Sequence, residues 1–63
     1  MRTNIEGLYA SAWENAIDNT AKILNEKLDT AFNRRDNWFI IETMATEMNI
    51  QFDENGDLIR TSC

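Results

Sequence analysis

The residues best suited to chemistry cluster near the end of the chain, where Asp53, Asn55 and Asp57 alternate around Gly56 in the stretch FDENGDLI. Alternating oxygen side chains beside a glycine are how a helix-loop-helix calcium loop begins. Such a loop takes ligands at positions 1, 3 and 5, bends at a glycine in position 6 and closes with a bidentate Glu at position 12. Counted from Asp53, the residues Asn55 and Asp57 fall correctly, but Leu58 stands at the bend and the twelfth position falls beyond Cys63. A turn asks for less. Asn55-Gly56 tolerates positive φ at both residues, and Ile50, Phe52, Leu58 and Ile59 beside it form short β-prone runs. The expectation is therefore no calcium site and a β-hairpin over about 49–61.

Other chemistry has less to work with. There is no histidine, and the single cysteine is Cys63, so neither a zinc site nor a histidine-activated nucleophile can be assembled. No glycine-rich phosphate loop is present. Glu42 and Glu47 could share acid–base work, but residues five apart on a helix diverge, and a chain this short leaves little room for a substrate pocket. An enzyme is not expected, nor is a cofactor or metal. Cys63 has no three residues after it to make a prenylation signal. The opening MRTNIEG lacks a basic-then-apolar leader, and no apolar run reaches membrane-spanning length. With an unpaired thiol, these features lead to an expectation of a cytoplasmic protein.

The elements that must position these residues belong to one small domain of 63 residues, predicted to be α+β. Thr3 and Glu6 have capping-box spacing. After them Ile5, Leu8, Trp13, Ile17, Leu24, Leu28 and Phe32 recur on one helical stripe, with Asp18, Lys22 and Glu26 placed to pair on the other side. Asn33, Arg34 and Arg35 make a plausible end for this helix, because cations favour its negative pole. Some thirty continuous residues would measure roughly 45 Å, whereas a compact chain of this length is only about 27 Å across. Either the helix breaks near 18–20, where Asp18, Asn19 and Thr20 cluster, or a second chain covers its stripe. A second helix is predicted over about 37–48, capped by Asp36 or Asn37 and ended by Asn49, with Trp38, Ile41, Ala45 and Met48 on its core face. A strand over WFIIET is the competing reading.

The charge is unevenly placed. Residues 1–35 hold five acids and five bases, whereas residues 36–63 hold six acids (Asp36, Glu42, Glu47, Asp53, Glu54, Asp57) against Arg60 alone. The whole net charge of −5 arises in the second half. Such a field repels nucleic acid and attracts basic surfaces, which argues against direct nucleic-acid binding. In overall profile the chain resembles the small acidic inhibitors made by phages and mobile elements, anti-CRISPR proteins and other DNA mimics among them. This is a likeness of size and acidity rather than of a motif. The resemblance implies an inhibitor in the host-cell cytoplasm that blocks nucleic-acid access to a basic nucleic-acid-binding protein, with Glu42, Glu47, Asp53, Glu54 and Asp57 as partner-binding residues. The alternative is a helix-mediated homodimer, antitoxin-like or scaffolding, in which the acids only solubilise.

Overall fold

Ile5 and Leu8 are both buried although they stand at the start of the chain, and the backbone folds back to bury them. The computed structural model describes residues 3–59. A single 3-10 turn, Ile5–Gly7, is followed by α1 over Ala10–Leu28 and α2 over Arg34–Glu47. The two helices lie side by side, with the 3-10 turn against both. The core they enclose consists of Ile5, Leu8, Ala16, Ile17, Ala21, Leu24, Ile41, Ala45 and Phe52. Each large side chain among these contributes about 1.5–3 kcal/mol by leaving water.

The long first helix departs from expectation at both ends and not in its middle. It runs unbroken through Asp18, Asn19 and Thr20. The break comes earlier, where Leu8 and Tyr9 are extended and Ala10 takes a left-handed φ of 55°. The Thr3–Glu6 capping box is not made. Thr3 Oγ1 donates to the Asn4 carbonyl at 3.1 Å, and Thr3 exchanges backbone hydrogen bonds with Phe52 at 3.0 and 2.8 Å. That tether turns the first residues inward. At the other end Asp29 is left-handed at φ 53°. Asn25 grips Phe32 from both sides, its Oδ1 accepting from the Phe32 N–H at 2.8 Å and its Nδ2 donating to the Phe32 carbonyl at 3.0 Å. Phe32 thus reaches the core from a loop, and Leu28, at the end of the stripe, is left exposed.

The second helix begins earlier than its apolar pattern suggests. Asn33 caps it, with Oδ1 accepting from the Asp36 N–H at 2.9 Å, so Asn33, Arg34 and Arg35 open α2 instead of closing α1. Asn37 interrupts the helical dihedrals at φ −125°. The strand alternative for WFIIET is not realised. Asn49, left-handed at φ 54°, follows the last turn as expected of a C-terminal residue.

The predicted α+β class is overturned, because the described residues contain no strand and no sheet, and the hairpin over 49–61 does not form. Phe52 pairs with Thr3 and with Leu58 only at isolated bridges. The cause is local. Asn55 does not adopt the positive φ that the two-residue turn needs, and only Gly56 does, at 86°. Asp53 takes the backbone donors for itself, its Oδ1 accepting from Asn55 N–H at 2.8 Å and Asp57 N–H at 3.0 Å. The resulting turn docks on α1, where Asn15 donates to the Asn55 carbonyl and Asn19 to the Gly56 carbonyl, both at 3.1 Å. Residues 60 and 61 of the predicted hairpin lie outside the described residues. No helix of the described residues is long and apolar enough to cross a membrane.

Candidate protein-binding surface

Of the five acids singled out by charge, the structure brings two together and sets three apart. Glu42 and Glu47 border one open depression, joined there by Glu6 from the 3-10 turn and by Thr43 and Thr46. Their divergence on the helix does not separate them, because the 3-10 turn packs against α2 and brings Glu6 to the same depression. Its volume, about 260 Å³, is below the range of roughly 300–1,000 Å³ that encloses small molecules.

Asp53, Glu54 and Asp57 do not line this depression. Asp53 is occupied in closing its own turn, while Glu54 and Asp57 are exposed on the loop that docks against Asn15 and Asn19. The five acids thus do not all line one depression. Among the described residues, the ion pairs are those of Arg34 with Glu14 and with Asp18, the second at 3.4 Å. Arg34 therefore offsets acids of α1, and Asp18 turns to it and not to Lys22. Among the described residues, Glu6, Glu42 and Glu47 share the depression and Asp53, Glu54 and Asp57 share the turn, and none of these six forms an ion pair. No group of three or more His, Cys, Asp or Glu among the described residues is arranged to hold a metal ion.

Beside the acids is an aromatic cluster, of which periodicity assigned Trp13 and Trp38 to the core. Trp13 meets Trp38 edge to face at 5.9 Å between ring centroids, and Trp38 meets Phe39 at 5.8 Å. Trp38 is 45% and Phe39 55% exposed, so both present much of their surface to solvent. Trp13 Nε1–H donates to Glu42 Oε2 at 2.7 Å, fixing that carboxylate in place. Sequence reasoning missed this bond and the role of Glu6, which it had given to a cap. The exposure of Phe39 was legible. It lies two residues before Ile41, about 200° away around the helix, opposite the buried phase of Ile41 and Ala45. Met48, also placed on the core face, is exposed as well.

A larger apolar groove of about 760 Å³ runs between α1 and the segment after α2, where Ile23, Met48, Ile50, Leu58 and Ile59 line it. No protein-family model, no curated protein and no solved structure matches this chain.

Proposed function

We propose that the protein is a small acidic binding protein that occupies a basic surface of a nucleic-acid-handling protein and blocks nucleic acid from reaching it, in the manner of anti-CRISPR proteins and other DNA mimics. The observation that carries this reading is the gathering of Glu6, Glu42 and Glu47 around one depression while Arg34 offsets Glu14 and Asp18. A purely solubilising charge has no reason to be sorted this way. Phosphates fall about every 1.7 Å along duplex DNA, so three carboxylates imitate only a short stretch, and the target is a local groove. Exposed charge pairs contribute only about 0.2–1 kcal/mol each, so affinity also draws on the neighbouring apolar surface. Such a protein works without a cofactor in the cytoplasm, where its target is found.

Helix-mediated dimerisation, the rival reading, rested on a first helix too long for its own domain. At 19 residues α1 is about 28 Å long, within the 30 Å extent of the molecule, and that motive disappears.

The test is release from DNA. Proteins of the source cell retained on a duplex-DNA resin are challenged with the chain and with its E6Q/E42Q/E47Q variant. The parent should release a bound protein that the variant leaves in place, more strongly at low salt than at high salt. Release by both alike, or by neither, refutes the proposal.

A further inference from the structure

We infer that the Trp38–Phe39–Glu42 surface of α2 is an arginine-binding site, which takes the guanidinium of an arginine on a basic segment of the partner. The inference rests on the proposed function and specifies how that partner is held.

Glu42 follows Trp38 by four residues and Phe39 by three, so the carboxylate stands one turn beyond both rings on the same side of the helix. Helical side chains lean toward the N-terminus, which tilts Glu42 back toward the rings. Its Oε2 is held by Trp13 at 2.7 Å, so the carboxylate is oriented before any partner arrives and retains acceptor capacity at Oε1. A carboxylate fixed by Trp13, one turn from the half-exposed Trp38 and Phe39 rings, is complementary to a flat cation. Guanidinium stacks on aromatic rings while its N–H fork meets a carboxylate, whereas an ammonium is a compact, strongly hydrated point charge. Arg35 stands one turn before Phe39, but no cation–π pair with either ring is formed among the described residues. Beside the half-buried Glu42, Asp36 adds an exposed acid on the N-terminal side of the rings.

Oligo-arginine and oligo-lysine peptides of equal length are titrated into the full chain. Tryptophan fluorescence and the indole N–H signals of Trp13 and Trp38 are followed. The arginine peptide should bind roughly two- to fivefold tighter than the lysine peptide and should shift the Trp38 signal. The F39L variant, altered at an exposed position, should bind both peptides with the arginine preference reduced. E42Q retains an oxygen acceptor for Trp13 and should weaken the arginine peptide. Equal affinity for the two peptides, or an unchanged preference in F39L, overturns the arginine site. The acidic reading itself is judged separately by the DNA-release experiment, which does not depend on arginine preference.

Discussion

Thr20 lies fully buried on the inner side of α1, and its Oγ1 finds no hydrogen-bond partner among the described residues. A threonine in a helix commonly donates to the carbonyl four residues back, here Ala16, and that bond is not formed. An unpaired buried hydroxyl costs about 1–3 kcal/mol. Valine has nearly the same shape without the polar atom. Thr20→Val is therefore predicted to stabilise the fold by about 1 kcal/mol, raising Tm by roughly 4–8 °C in thermal unfolding; a fall in Tm would mean that the hydroxyl is satisfied. Residue type alone could not give this, since Thr20 had been grouped with Asp18 and Asn19 as a weak point of the helix. The same limit applies to the tryptophans. Their size argues for burial, yet Trp38 remains 45% exposed beside Trp13 of α1.

Among elements, the two helices were legible in the sequence because their apolar periods are long and regular, while their ends were not. The stripe from Ile5 to Phe32 keeps its phase across two breaks, since buried loop residues can fall by chance on the phase of the helix they adjoin. Long-range hydrogen bonds made the difference, from Thr3 to Phe52 and from Asn25 to Phe32, and neither has a signature in local spacing. The turn at Asn55-Gly56 was foreseen but its surroundings were not, because its carbonyls are taken by Asn15 and Asn19, forty and thirty-seven residues away. The acidic site was half legible: charge counting found Glu42 and Glu47, and only packing added Glu6. The docked turn carries a sharp prediction. At φ 86°, a Cβ on residue 56 would lie 2.0 Å from the Ala12 carbonyl oxygen, so glycine is required both for its backbone and for its lack of a side chain. Gly56→Ala should destabilise by about 2–3 kcal/mol, read as a lower midpoint in urea. An unchanged midpoint would show that the turn does not hold against α1.

As a whole, the described molecule is a plate of 30 × 29 × 15 Å with a radius of gyration of 10.6 Å, close to the roughly 11 Å of a compact chain of this length. Nothing projects that a second copy must cover, and light scattering in reducing buffer is predicted to give 7.3 kDa. A value twice as large would restore the homodimer reading. The paired backbone hydrogen bonds of Thr3 with Phe52 also bear on how the molecule comes into being. They join residues 49 positions apart in the sequence, and Gly56 packs on Ala12 across 44. The core side chains Ile5, Leu8 and Leu24 are thus completed by the Phe52 ring from beyond α2. Closing loops of that length carries an entropy cost that local helix contacts do not, so folding is expected to be slower than that of a helical bundle held by local contacts alone.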